Sequence, residues 1–382
     1  MNDKTRKKRI SKTTAILLLA IGGLLSLTPG IVTEGLSCEH LQSCTSCGSE
    51  KRASLTGAAD GNELCSTLTI SSGEKVLFGG NVDSALENYS ESAPYIMFFP
   101  PSEKDAYEYG YGFMVIGWEW EDLSTRYSFS PCGMNEKGLA FSRNGLPKAA
   151  LNPHPEKPYS SFRSFYTKVM RDCSSIDCVI EMAQTFDWGT SMSMQMHFAD
   201  ASGAAVIISA GKDGELVFTR KDLHYLVSTN FNRTNPENGE YPCWRYDTAM
   251  EMLENSEDYT IDYVASILDA IHVEGICVNT RFSYIFDLCT GDGHVYYFHQ
   301  FDDVVEFNVG TGLVETAEGA ITEYYAFEGL FSQKTLDEAS SALREYQEWK
   351  IILRMGIGSA AFLGFGLLVY RKVRIRRSEF ST

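Results

Sequence analysis

An α+β fold, with antiparallel sheets stacked on one another and helices on their outer faces, is predicted by three features of this 382-residue chain. Short runs rich in β-branched and aromatic residues alternate with Gly- and Asn-containing turns. Two pairs of helical segments, with apolar residues three and four apart, fall between groups of these runs rather than after every strand. The strand groups are joined by hairpin turns such as Ser202-Gly203 and Asp213-Gly214, not by crossover lengths.

The elements follow in order. After a polar linker near 50–62, strands are predicted in "CSTLTI", "KVLFGGNV", "YIMFFPP", "GFMVIGWEW", "YSFSPCGMN" and "GLAFSRNGL". Helices are predicted in "SSFRSFYTKVMRDCSS" and "SIDCVIEMAQTF", then strands in "MQMHFADASGAAVIISA", "ELVFTRK" and "YLVSTNF". Two more helices, "WRYDTAMEMLEN" and "TIDYVASILDAI", precede the last strands, "TRFSYIFDLCTG" and "HVYYFHQFDDVVEFNV". A polar helix from Leu336 to Trp349 closes the series.

The two ends differ from the middle. Residues 1–12 carry a net +5 and residues 371–382 a net +4, which leaves −26 of the chain's −17 total on the segment between them. So acidic a body repels phosphate backbones, and nucleic acid is excluded as a partner class. Residues 1–30 pair a basic start with the apolar "TTAILLLAIGGLLSL", the pattern of a signal peptide or signal anchor. Residues 351–370 read as a membrane-spanning helix, preceded by a juxtamembrane helix at 331–350 and followed by a basic tail at 371–382. The crowded arginines place that tail in the cytoplasm and the acidic body outside, at the cell membrane. Ten cysteines suit an oxidising compartment, and Cys173 and Cys178 are spaced to close a small loop. Cys38, Cys44, Cys47 and His40 match no standard zinc spacing, so no metal is expected there. Asn232-Arg233-Thr234 is a glycosylation sequon.

The chemistry centres on "CSTLTISSGEKVLFGGNVD", Cys65 to Asp83. Cys65 has three readings: a buried apolar residue, half of a disulfide, or a nucleophile. Cleavage before it would put a thiol and an α-amine, its general base, on one residue. Asp83, returning across the hairpin, is placed to hold that amine, and Gly79-Gly80 allow close backbone approach.

The same stretch resembles the opening of the choloylglycine hydrolase and penicillin V acylase family of linear amide hydrolases. "CGMNEKGLAFSRNGLP" resembles that family's Gly-Met-Asn-Glu-x-Gly-Leu block, "YLVSTNFNRT" its Thr-Asn block, and "CWRYDTA" its Trp-Arg-Tyr helix start. The four blocks stand in family order between Cys65 and Val309. The resemblance implies an N-terminal nucleophile hydrolase domain at 65–330, a four-layer αββα sandwich, behind a linker or pro-segment at 31–64. It implies Cys65 as nucleophile, Asp83 orienting the α-amine, Asn144 as oxyanion donor, Asn230 as a second polar contact, and Arg245 organising Cys65 and Asp83. Read singly, each has a plainer role: Asn144 in a turn, Asn230 and Asp83 as caps, Arg245 on a helix surface.

Where many relatives carry arginine in the turn, this chain has Gly80. The reading is thus a cysteine amidohydrolase of a linear carboxamide, needing no cofactor and partnered by a small-molecule amide, the membrane and a possible homo-oligomer. An acyltransferase on the same scaffold and a catalytically silent surface protein are its rivals.

Overall fold

Alternation of side chains across each strand, period two, decides which residues of this protein meet. The computed structural model describes residues 65–86, 94–104, 108–118, 129–239, 241–256, 259–275, 278–313 and 324–351. In chain order the strands are β1 (Ser66–Ser72), β2 (Lys75–Ala85), β3 (Pro94–Phe99), β4 (Ser102–Lys104), β5 (Glu108–Gly110), β6 (Phe113–Trp118), β7 (Phe129–Asn135) and β8 (Ala140–Ala150). They continue with β9 (Ser191–Ala199), β10 (Ala205–Ala210), β11 (Leu216–Arg220), β12 (Tyr225–Ser228), β13 (Phe231–Asn232) and β14 (Asn235–Gly239). The last are β15 (Val278–Asp287), β16 (Asp292–Tyr297), β17 (Val304–Asn308), β18 (Gly312–Leu313) and β19 (Tyr324–Ala326).

A seven-stranded sheet runs β12-β1-β2-β15-β16-β17-β18, and an eight-stranded sheet runs β11-β10-β9-β8-β7-β6-β3-β19. Every pairing within them is antiparallel. Between the sheets lies one core, built by Val76, Phe78 and Val82 of β2, Phe282, Tyr284 and Phe286 of β15, and Met114, Met134 and Ile207 from the other sheet. Each fully buried aromatic or aliphatic side chain here contributes roughly 1.5–3 kcal/mol of transfer free energy.

The opposite faces take the helices. Helices α1 (Phe162–Asp172) and α2 (Ile176–Gln184) bury Phe165, Val169 and Val179 with Phe141, Met196 and Phe198 of the eight-stranded sheet. Helices α3 (Trp244–Glu254) and α4 (Ile261–Ala270) bury Ala249, Leu253, Val264 and Ile267 with Leu68, Leu77 and Ile285 of the seven-stranded sheet. Three of the four begin at a hydroxyl cap: Ser161, Ser175 and Thr260 each accept from the backbone N–H three residues on. The layer order helix, sheet, sheet, helix matches the expected α+β arrangement, and the Cys173–Cys178 disulfide closes the expected loop between α1 and α2.

Two expectations are revised. "HVYYFHQFDDVVEFNV" is not one strand but the pair β16 and β17, because Phe298 and His299 both take φ of 50° and turn the chain over. The sequon at Asn232 is closed: this side chain is 1 % exposed, donates to the Ala210 carbonyl and accepts from Thr234.

Residues 333–341 are helical in the main unit, Gln42–Ser341. In the second unit, Met1–Leu41 with Ala342–Thr382, residues 342–351 are helical and the Tyr346 ring stacks with Trp349. The segments 1–30, 31–64 and 371–382, the Cys38 cluster, and all but the first residue of the 351–370 span lie outside the described residues. Among the described residues no helix is long and apolar enough to cross a membrane.

Candidate active site

At one end of the inter-sheet layer the apolar filling gives way to polar side chains. On β1 the residues facing the other sheet are Cys65, just ahead of the strand, then Thr67 and Thr69; on β8 they are Ser142 and Asn144, on β9 His197, and on β12 Ser228. All are buried. Burial of hydroxyls and amides is tolerated only with partners, and these pair with one another. Thr67 Oγ1 donates to Ser142 Oγ at 3.0 Å, Asn144 Nδ2 donates to Thr67 Oγ1 at 3.3 Å, and Ser228 Oγ donates to Asn144 Oδ1 at 2.8 Å. His197 joins the chain between Thr69 Oγ1 and Ser228 Oγ, each 2.9 Å away. Burial holds its pKa down at about 3, with the Arg233 charge adding to the effect, so the ring is neutral.

On the other face of β2, Asp83 meets Arg245 from the first turn of α3. A cation there opposes the helix dipole, so helix stability does not explain it. Instead Arg245 draws three groups together. Nη1 donates to the Cys65 carbonyl at 3.1 Å and to Asp83 Oδ2 at 3.4 Å, while Nη2 donates to Asn230 Oδ1 at 3.0 Å. Arg245 is 2 % exposed and Asp83 fully buried. Thr280 of β15, opposite Asp83 in register, donates to Asp83 Oδ1 at 2.5 Å, next to a bulge between Thr280 and Phe282. Asn230 Nδ2 donates to the Gly145 carbonyl at 2.8 Å, tying this cluster to the residue after Asn144.

Four of the five residues singled out from the sequence, Cys65, Asp83, Asn230 and Arg245, thus form one connected cluster. The fifth, Asn144, belongs to the adjoining network, linked through Thr67 two residues along β1 from Cys65. Cys65 is not disulfide-bonded and is 2 % exposed, with its sulfur 4.0 Å from the Asp83 carbonyl oxygen. Cys132 of β7 is also unbridged and buried; burial pushes its thiol well up, and a charge on Cys65 pushes the same way. Sequence reasoning missed Thr67, Ser142, His197, Ser228 and Thr280. Their signal was present for the first four: each is polar at a position that alternation assigns to the buried face.

Stacked antiparallel sheets between helices are an architecture found in hydrolases acting on linear amides; here a cysteine heads the central hairpin with an Asp–Arg pair behind it. The model of the family described as acyl-coenzyme A:6-aminopenicillanic acid acyl-transferase matches residues 73–263. The chain belongs to that family, and its sequence blocks resemble the choloylglycine hydrolase and penicillin V acylase group. Among solved structures, a mutant of the conjugated bile acid hydrolase from Clostridium perfringens shares the fold, with TM-score 0.51, 15 % identity, and coverage of 70 % of this chain and 98 % of that one. A second variant of the same hydrolase gives TM-score 0.50 and 14 % identity over the same shares, 70 % and 98 %. The penicillin V acylase from Agrobacterium tumefaciens gives TM-score 0.45 and 16 % identity over 71 % and 98 %. No curated protein matches the chain.

Proposed function

We propose that this protein is a cysteine-nucleophile amidohydrolase that cleaves a linear N-acyl amide through a thioester, after the segment before Cys65 has been removed. The observation that carries the reading is the buried Arg245, which holds the Cys65 carbonyl, Asp83 and Asn230 at 3.0–3.4 Å.

Cleavage of the Leu64–Cys65 bond frees an amine beside Asp83. That amine takes the thiol proton, and the thiolate adds to the substrate carbonyl carbon. The resulting oxyanion accepts from the side-chain amides of Asn144 and Asn230; Asn144 Nδ2 has two hydrogens and spends one on Thr67. The tetrahedral species expels the amine, which leaves with the proton held on the Cys65 nitrogen. Water then adds to the thioester, and the acid and the thiol are released.

Intact mass and N-terminal sequencing of the purified protein test the first step. A Cys65 terminus with turnover of N-acyl amides, lost in Cys65→Ala, supports the reading; a chain never cut before Cys65 sinks it. The acyl-transferase description of the family favours a second reading, in which an amine instead of water takes the acyl group. Product analysis with competing amines separates the two. The signal or anchor pattern at 1–30 and the apolar span at 351–370 support, as part of this proposal, a domain outside the cell membrane.

A further inference from the structure

Gly80 stands in the middle of β2, opposite Thr67 of β1 and Tyr284 of β15. A Cβ at Gly80 would lie 2.4 Å from the Ser66 carbonyl oxygen, 2.8 Å from the Tyr284 hydroxyl and 3.1 Å from the carbon bearing it. The space in which a side chain from this position would begin is therefore occupied, and what occupies it is a phenol arriving from the neighbouring strand. The glycine and the tyrosine are two halves of one arrangement.

Tyr284 is fully buried, with its ring 4.9 Å from Phe286 and 6.2 Å from Phe78. These contacts fix the ring and aim the hydroxyl at the polar end of the inter-sheet layer. It lies close enough to the Thr67 and Ser142 hydroxyls for both to draw its pKa down, yet meets neither in well-formed hydrogen-bond geometry. A buried phenol is ordinarily paired, so an unspent donor at this depth calls for an acceptor that appears only at another stage. The candidate is close by. Cys65 and Thr67 share a face of β1, Thr67 stands opposite Gly80, and a negative charge on the Cys132 sulfur, and to a lesser degree on the Cys65 sulfur, acts on the Tyr284 hydroxyl. Burial and those two sulfurs push the phenol's pKa well up, so it stays a neutral donor throughout the working range.

We propose that Tyr284 donates a hydrogen bond to the Cys65 sulfur once it is a thiolate, so that β15 supplies, across Gly80, the stabilising neighbour that the hairpin itself lacks. The proposal rests on the amidohydrolase reading in one respect, that the Cys65 thiol ionises. The titratable and charged groups around that sulfur are Asp83 of β2, Arg245 of α3, Cys132 of β7 and Tyr284 itself, with neutral His197 of β9 further along the network.

The test is the pH dependence of Cys65 alkylation by iodoacetamide, read by mass spectrometry on the Cys65 peptide, in the full chain and in Tyr284→Phe. The phenylalanine keeps the ring and its packing. Loss of a hydrogen bond to a charged acceptor is expected to move the alkylation profile to higher pH and to slow alkylation about tenfold below its midpoint. The acidic limb of kcat/KM in the processed enzyme moves with it. As a second variant, 3-fluorotyrosine at position 284, a stronger donor of nearly the same size, shifts both profiles to lower pH. Profiles that coincide for all three proteins overturn the proposal. A chain never cut before Cys65 but with shifted alkylation profiles defeats the amidohydrolase reading and leaves Tyr284's role standing.

Discussion

His197 offers the most direct measurement of how the buried polar network is held. The imidazole spans the two sheets between Thr69 and Ser228, is wholly buried, and has a pKa of about 3 in place of 6.5. The unfolded chain therefore binds a proton at this residue below pH 6.5, whereas the folded chain does so only near pH 3. Between those values the unfolded state carries more protons, so stability falls as pH falls through the window. Working the linkage from 6.5 and about 3, the loss at pH 5 relative to pH 7.5 is about 2 kcal/mol. Urea unfolding of the protein and of His197→Gln, each at both pH values, isolates this contribution. Asp187, Glu215, Asp292 and Asp303, whose pKa values are lowered, also weaken the fold in acid, but they are common to both proteins and cancel. The variant is expected to be less stable at pH 7.5, since one hydroxyl partner loses its bond, and the gap is expected to narrow by about 2 kcal/mol at pH 5. A gap of the same size at both pH values would refute the neutral, desolvated histidine.

Three further outcomes are expected. Arg245→Met removes a buried cation from Asp83 and leaves the carboxylate uncompensated, costing about 3–5 kcal/mol in chemical denaturation. Asp83→Asn keeps the hairpin and the Thr280 contact but not the charge facing the new amine; turnover by the processed enzyme is expected to drop about a hundredfold or more, with the loss in kcat. Gly80→Ala pushes a methyl group against the Ser66 carbonyl and the Tyr284 hydroxyl, and thermal unfolding should show a loss of about 1–3 kcal/mol, largest if the strand cannot shift.

Much of the fold was legible because alternation and helical spacing are local. Phe78, Val76 and Val82 had to share a face of β2, and capped segments such as Ser161–Asp172 had to be helices. The break at Phe298 and His299 was not legible, since non-glycine residues rarely take positive φ and nothing in "YYFHQFDD" marks the turn as strongly as a glycine would. The site divides in the same way. Cys65 and Asp83 sit on one hairpin and carry a recognisable pattern, and Asn230 and Arg245 sit in short blocks of their own. Thr280 had no such context: it reaches Asp83 only because β15 pairs with β2 across almost two hundred residues of chain.

That distance also changes how Gly80 reads. Taken alone in the hairpin, a glycine where relatives carry arginine signals a lost function. Set beside β15, it is what leaves room for the Tyr284 hydroxyl, because a Cβ at position 80 would lie 2.8 Å from it. On the proposal above, two positions 204 residues apart in sequence act as one in space, with a neutral donor standing where the resemblance implies a cation. The exchange is not equivalent, since a phenol stabilises a thiolate by one short contact where a guanidinium also acts through its charge. A site built this way is expected to hold its thiol at a higher pKa than an arginine-bearing relative does, and to lean more heavily on the α-amine beside Asp83 to remove the proton. Comparing the pH profiles of Cys65 alkylation before and after the segment ahead of it is cut measures that dependence directly: a profile that does not move on cleavage shows the amine contributes nothing, and the coupling argued here fails.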